Sequence, residues 1–266
     1  MSDTRPIGVF DSGVGGISVL AQLRRLMPAE DFVYYSDCAN APYGTRPAEE
    51  ISLLVDAVVA QLQQHRIKAL VIACNTATAA AAAELRDRCD FPVIGMEPAL
   101  KPAHLLRRQG RILVLATPAT LGLPKFARLM ERYGEGAEPL PCPGLMELVE
   151  AEDFDGAAAY VCRALSAYPP DGVDAVVLGC THYVFLRSRL QTLLPAHIAL
   201  LDGNLGTARQ LRRVLTRDGL LRGSGVGGLT LLTSGDPETV LPRMWRLLSL
   251  AEEMLPAEAE TPADPL

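Results

Sequence analysis

Val176-Val177-Leu178-Gly179-Cys180-Thr181-His182 decides how this chain is read, because it has a twin. Leu70-Val71-Ile72-Ala73-Cys74-Asn75-Thr76 has the same build: apolar residues closing on a small one, then a cysteine, then residues able to start a helix. Runs that are apolar at every position and end at helix-start signals predict parallel strands buried on both faces. Each strand delivers a thiol to its carboxyl end, the edge at which open α/β sheets gather their ligands. The expectation is that the two thiols face each other across one pocket and work as a pair.

Working outward, Ile7-Gly8-Val9-Phe10 predicts a strand that runs into Asp11-Ser12-Gly13-Val14-Gly15-Gly16 and then a helix from Ile17 to Leu26. Glycines let the backbone approach a ligand closely, and amides at a helix start favour an anion. Gly-x-Gly-Gly alone equally describes a structural turn; Asp11, a carboxylate at the strand's carboxyl end, tips the loop toward ligand contact. A second strand follows at Phe32-Val33-Tyr34-Tyr35, then a turn-rich loop from Ser36 to Thr45 containing Pro42-Tyr43-Gly44. Helical spacing of Ile51, Leu54, Val55, Val58, Val59 and Leu62 predicts a helix over Ala48 to His65, and the alanine-rich run from Asn75 to Arg88 predicts another. Phe91 to Pro98 reads as a short strand where the chain first crosses between lobes.

Arg111 to Ala116 restarts the plan, passing through Thr117-Pro118-Ala119-Thr120 into a helix from about Leu121 to Tyr133. Asp11 and Thr117 are 106 positions apart, and so are Cys74 and Cys180, which points to an internal repeat. On that offset Gly44 maps onto Glu150, so Leu145 to Glu150 takes the place of the Pro-Tyr-Gly loop. After His182 come an amphipathic helix to about Leu194, a strand at Ile198 to Leu201 and a helix near Thr207 to Leu215. Arg222 to Gly228 reads as a flexible connection, because the strand Leu229 to Thr233 follows it rather than a helix. Glu238 to Leu250 is the closing helix, with a frayed tail expected from Ala251. The expected fold is α/β: two pseudo-symmetric three-layer α/β/α lobes with mostly parallel sheets and a cleft between them. Residues 1–97 with 208–255 form the first lobe, 98–207 the second, and 256–266 a flexible tail.

Composition narrows the chemistry. The chain has 266 residues, 49 % of them hydrophobic, enough to bury a substantial core. A formal net charge of -6 offers no basic stripe for phosphates, so nucleic acid is not expected as a primary partner. No apolar leader or membrane-length run stands out, and the chain reads as cytoplasmic with no membrane partner. Six cysteines (38, 74, 89, 142, 162 and 180), none in a Cys-x-x-Cys pair, are expected to be free thiols. Lys68, Lys101 and Lys125 sit in no cofactor-anchoring setting, so no cofactor is expected.

A lone cysteine in an apolar strand is usually packing, the reading given to Cys89, Cys142 and Cys162. Cys74 and Cys180 differ, since each lies where a strand ends and a helix starts, and a helix N-terminus favours thiolate. With an ordinary thiol pKa of roughly 8.5, either can serve as acid or base. Racemisation needs one group to take a proton from one face of a carbon and another to return one to the opposite face, which a matched thiol pair can do. Two other chemistries compete at Cys180-Thr181-His182: zinc ligation, for which no second cysteine-histidine cluster is present, and a thiol nucleophile activated by His182, which leaves Cys74 as packing.

Asp11-Ser12-Gly13-Val14-Gly15-Gly16, Pro42-Tyr43-Gly44, Cys74-Asn75-Thr76-Ala77 and Gly179-Cys180-Thr181-His182-Tyr183 together, in this order, resemble the glutamate racemases of the cofactor-independent Asp/Glu racemase superfamily. The resemblance implies interconversion of L- and D-glutamate, supplying D-glutamate for peptidoglycan and so for cell-wall biogenesis and cell shape. It implies Cys74 acting on D-glutamate with Asp11 assisting, and Cys180 acting on L-glutamate with His182 assisting. Substrate contacts implied on matching positions are Asp11, Ser12, Tyr43, Gly44, Asn75, Thr76, Thr181 and His182, with Thr117, Thr120 and Glu150 as further pocket residues. No metal is implied, and a homodimer is compatible with the family. The nearest rivals are an aspartate or hydantoin racemase, a one-thiol decarboxylase or isomerase, and a non-catalytic two-lobed binding protein.

Overall fold

A computed structural model describes residues 3–255. Among the described residues, nine strands form two sheets. The first takes β1 (Ile7–Asp11), β2 (Phe32–Ser36), β3 (Ala69–Ile72), β4 (Val93–Gly95) and, from late in the chain, the last strand. The second takes β5 (Arg111–Ala116), β6 (Ala137–Pro141), β7 (Val173–Leu178) and β8 (Ala199–Asp202); the last strand, β9, is Leu229–Thr233. All pairings are parallel, in the orders β4-β3-β1-β2-β9 and β6-β5-β7-β8. The orders correspond strand for strand, with β1, β2, β3 and β4 matching β5, β6, β7 and β8. This is the α/β, mostly parallel, two-sheet architecture the sequence predicts.

Helices carry the chain between the strands: α1 (Ile17–Leu26), α2 (Ala48–Gln63), α3 (Asn75–Arg88) and α4 (Leu100–Leu106), then α5 (Pro118–Gly122), α6 (Pro124–Tyr133), α7 (Leu145–Glu150) and α8 (Phe154–Leu165). The last three are α9 (Arg187–Leu193), α10 (Asn204–Arg217) and α11 (Pro237–Glu253). Because helices cover the sheets, β1 and β3 are buried at every position, which is why their sequences carry no polar alternation. The chain returns to the first sheet after β8: α10 packs on α1, and α11 packs on α1 and β9.

Four expectations are corrected. The helix expected over Leu121 to Tyr133 is two, broken at Leu123, whose extended backbone precedes Pro124 at the first position of α6. The helix expected after His182 begins as a 3-10 segment, Thr181–Leu186, and becomes α-helical only at Arg187. α11 continues to Glu253 with Ala251 buried in the core, so no frayed tail starts at Ala251; the expectation for 256–266 lies outside the described residues.

The fourth concerns the repeat. Ala73 N–H donates to Phe10 C=O at 2.8 Å, and its counterpart Gly179 N–H donates to Leu115 C=O at 2.7 Å. Phe10 therefore corresponds to Leu115, Asp11 to Ala116 and Ser12 to Thr117. The pairing of β5 with β7 jumps from Arg111↔Val173 to Ile112↔Ala175, so Asp174 is an extra residue that shifts everything after it by one. Its carboxylate accepts the N–H groups of Arg108 and Gly110, both at 2.7 Å, which holds the bulge. Asp11 thus has no acidic counterpart in the second sheet, and the two halves of the site differ.

Candidate active site

Both thiols sit at the carboxyl ends of central strands. Cys74 ends the connection from β3 and is the N-cap of α3, its Sγ accepting the Ala77 N–H at 3.4 Å. Ser12 Oγ donates to the same sulfur at 3.3 Å. Burial, followed by the charge of Asp11, pushes the Cys74 thiol up to about 12. At neutral pH Cys74 is therefore a thiol, a proton donor. Cys180, half-buried, precedes the 3-10 segment and caps nothing; its Sγ lies 3.7 Å from His182 Nδ1. The sulfurs are near enough that a charge on Cys180 is felt at Cys74.

His182 is buried between Cys180 and Glu150, with Nε2 at 2.8 Å from Glu150 Oε1. Burial alone would disfavour its protonation, but hydrogen bonds to Cys180 and Glu150 and the Glu150 charge outweigh it, and the ring is raised well above its ordinary value. Burial likewise opposes ionisation of Glu150, yet the His182 hydrogen bond and charge, the Val14 N–H at 3.2 Å and Arg243 take it down to about 2. The pair is imidazolium and carboxylate, and the protonated ring donates from both nitrogens.

Asp11 lies on the other flank. Its Oδ1 accepts Gly13 N–H at 2.8 Å and its Oδ2 accepts the Thr181 hydroxyl at 3.1 Å. Full burial raises the carboxyl to about 6, even though the His182 charge and these bonds favour ionisation. The glycine loop explains itself here. A Cβ on Gly15 would stand 2.4 Å from His182 Nδ1, and one on Gly13 would stand 2.6 Å from Glu150 Oε1. These glycines let β1 approach His182 and Glu150, rather than cradling a phosphate.

A third edge is a hydroxyl chain: Thr117 Oγ1 and Thr120 Oγ1 are 2.9 Å apart, and Thr120 Oγ1 and Thr76 Oγ1 are 3.1 Å apart. Gly44 lies against Thr117, where an added Cβ would touch at 3.5 Å. Tyr43 is buried beside it, but its hydroxyl is committed to Asp37 Oδ2 at 2.6 Å and so is already occupied. Asn75 Oδ1 is buried with no hydrogen-bond partner, an acceptor suited to an ammonium or N–H group. The contacts group the expected residues as Ser12–Cys74, Asp11–Thr181, Cys180–His182–Glu150 and Thr76–Thr120–Thr117 with Gly44, while Tyr43 turns to Asp37 and Asn75 Oδ1 has no partner among the described residues.

Sequence reasoning missed three contributors. Val14 acts through its amide and Ser18 through its hydroxyl, which donates to Thr181 C=O at 3.2 Å. Arg243 reaches Glu150 Oε2 at 3.1 Å from 93 positions away, and nothing in the sequence of α11 singles it out. The site is closed. Asp11, Ser12, Cys74, Thr181 and His182 are all buried, while a 730 Å³ cavity between α3, α6 and the start of α10 contains neither thiol. Among the described residues no cluster of three or more His, Cys, Asp or Glu could hold a metal ion.

The fold and site define a class: α/β proteins of two parallel sheets with a cysteine following the carboxyl end of a central strand in each, one beside Ser12 and the other beside His182. Residues 7–211 match the family described as Asp/Glu/Hydantoin racemase, and the chain belongs to that family. It is 46 % identical over 264 residues to a protein named glutamate racemase from Bifidobacterium adolescentis, covering 96 % of this chain and 99 % of that protein. A glutamate racemase from Clostridium botulinum strain Kyoto is 44 % identical over 251 residues, covering 92 % and 98 %. The crystal structure of glutamate racemase from Thermus thermophilus in complex with β-chloro-D-alanine superposes with a TM-score of 0.81 at 38 % identity, covering 93 % of this chain and 94 % of that one.

Proposed function

We propose that the chain is a glutamate racemase in which Cys74 and Cys180 serve as the two acid-base groups, without a cofactor. The observation that carries the reading is that the two cysteines lie at equivalent strand ends, Cys74 beside the Ser12 hydroxyl and Cys180 beside the His182 ring. The curated relatives bear the name glutamate racemase over nearly their whole length, which supports the choice of substrate.

In the L-to-D direction the Cys180 thiolate, beside the His182 imidazolium, removes the Cα proton. The electron pair left on Cα spreads into the substrate carboxylate, whose charge is met by hydroxyl and amide donors at the helix starts. The Cys74 thiol then gives its proton to the opposite face. Cys180 is left protonated and Cys74 ionised, the form that accepts D-glutamate, so the reverse reaction runs the same steps backward. Asp11, raised to about 6, is able to take up or release a proton near Cys74 at near-neutral pH. Asn75 Oδ1 accepts from the substrate ammonium.

Water exclusion during the reaction calls for the lobes to open and close, and 1–97 with 208–255 and 98–207 are the units we propose to move. The product feeds peptidoglycan synthesis in the cytoplasm; no helix among the described residues is long and apolar enough to cross a membrane. Sedimentation velocity distinguishes a monomer from the homodimer compatible with this reading. The decisive assay follows circular dichroism of L- and D-glutamate, with aspartate and a hydantoin alongside. Loss of the glutamate signal supports the reading; a change on aspartate or hydantoin alone, or on none, ends it.

A further inference from the structure

We propose that Arg243 is a positioning residue of this reaction, reaching from α11 to hold one oxygen of Glu150 so that the other faces His182 and, through it, Cys180. The inference rests on the two-thiol reading above. Arg243 Nη1 donates to Glu150 Oε2 at 3.1 Å, while Glu150 Oε1 meets His182 Nε2 at 2.8 Å and the Val14 N–H at 3.2 Å. Both carboxylate oxygens are thereby committed. The terminal torsion of a glutamate is otherwise soft, and a carboxylate gripped on one oxygen only can turn away from the ring. Arg243 belongs to a helix packed on β9 and α1 of the first sheet, whereas Glu150, His182 and Cys180 all follow strands of the second. The contact therefore links the placement of the Cys180 acid-base group to the closure of the two sheets.

Among the described residues no equivalent ion pair stands behind Cys74, which is held by the Ser12 hydroxyl and the Ala77 amide. Loss of Arg243 should thus be felt at one thiol. The neighbouring Arg246, one turn further along α11, supplies a control. It pairs with Glu152 at the surface, with side chains 59 % and 32 % exposed against 28 % and 20 % for Arg243 and Glu150. It bridges the same helix to the same end of α7 without touching Glu150.

Racemisation has two proton-transfer barriers, one at each sulfur. The enantiomers have equal free energies, so raising either barrier lowers kcat/KM equally in both directions; the rate alone cannot say which was raised. Primary deuterium isotope effects can. If the Cys180-side barrier rises, cleavage of the Cα–D bond becomes more limiting from L-glutamate and less limiting from D-glutamate.

The experiment measures kcat/KM and its isotope effect with both Cα-deuterated enantiomers for wild type, Arg243→Met, Arg243→Lys and Arg246→Met. For Arg243→Met we expect kcat/KM to fall on the order of tenfold, with the isotope effect rising from L-glutamate and falling toward unity from D-glutamate. Arg243→Lys keeps the charge and one donor, and should recover part of the rate with isotope effects between the two; it carries the test if the methionine variant does not fold. Arg246→Met should match wild type. Isotope effects that stay unchanged or move together in both Arg243 variants overturn the proposal, as does an equal shift in Arg246→Met. Absence of glutamate racemisation in wild type instead overturns the functional reading beneath it.

Discussion

Thr181 donates its hydroxyl to Asp11 Oδ2 at 3.1 Å, tying the carboxyl end of β1 to the segment that follows Cys180. The bond crosses between the sheets, and its acceptor is a carboxylate with no acidic counterpart in the other half, where Ala116 stands. Asp11 therefore faces two ways: it anchors the Cys180 segment, and its charge reaches Cys74.

Asp11→Asn removes that charge while keeping an oxygen for Thr181. Burial still holds the Cys74 thiol up, but less than in wild type, so at fixed alkaline pH Cys74 should be alkylated by iodoacetamide faster, by about tenfold for each unit its pKa falls. Mass spectrometry of the Cys74 peptide measures this. Racemisation should meanwhile slow, on the order of a hundredfold, as the proton acceptor is lost. An unchanged alkylation rate would show that Asp11 does not act on the sulfur.

The Glu150–His182 pair should leave a pH signature on stability. Glu150 has a folded value of about 2 against an ordinary 4.5, so its contribution is complete above about 4.5 and lost as pH falls toward 2. His182 is raised above 6.5, so its contribution is complete below 6.5 and lost as pH rises through the raised value. The stability difference between wild type and Glu150→Gln, read from urea midpoints, should be largest between about pH 4.5 and 6.5 and shrink on both sides. A difference flat across pH would contradict the pairing.

Two glycines should respond oppositely to alanine. In Gly15→Ala the new methyl would lie 2.4 Å from His182 Nδ1 and 2.5 Å from Thr181 Oγ1, so it must displace them. The expected cost is about 1–3 kcal/mol of stability and a loss of activity on the order of a hundredfold or more. Gly206, inside α10, has nothing within 4 Å of such a methyl, and Gly206→Ala should stabilise by about 0.5–1 kcal/mol with activity intact. Thermal unfolding and the circular dichroism assay on both variants test the contrast.

Lys68 and Glu30 form a buried ion pair at 2.6 Å, with side chains 0 % and 1 % exposed, and Lys68 Nζ also donates to Asp3 and Leu220 C=O at 2.8 Å. Lys68→Met alone leaves Glu30 charged and buried, and should cost about 3–5 kcal/mol in denaturant unfolding. Lys68→Met with Glu30→Met should cost less than the single change. A double variant no more stable than Lys68→Met would show that the lost backbone contacts, not the orphaned charge, dominate.

The strands that carry the thiols were legible because a strand buried on both faces must be apolar at each position, and Leu70–Ala73 and Val176–Gly179 have no competing pattern. β6 was not legible: Pro139 and Pro141 argue against a strand, and are tolerated because it is the edge of its sheet, paired only with β5. α8 hides its apolar face behind alanines at 157 and 158, and only Asp153, which caps it through the Gly156 N–H, announces it. The repeat was visible, but its register was not, since a bulge at Asp174 changes no composition. Arg243 could not be found from sequence, because its meaning lies in a contact between distant segments. Tyr43 was found for a side chain that proves to be engaged with Asp37, so its position was legible and its bonding was not.

The division of labour between the sulfurs is tested most directly by hydrogen exchange in deuterium oxide with Cys74→Ser and Cys180→Ser, each started from pure L- and pure D-glutamate. Cys180→Ser should carry deuterium into D-glutamate faster than it forms the L-enantiomer while leaving L-glutamate unlabelled, and Cys74→Ser should do the reverse. Labelling of the same enantiomer by both variants would contradict the assignment of one thiol to each face of the substrate.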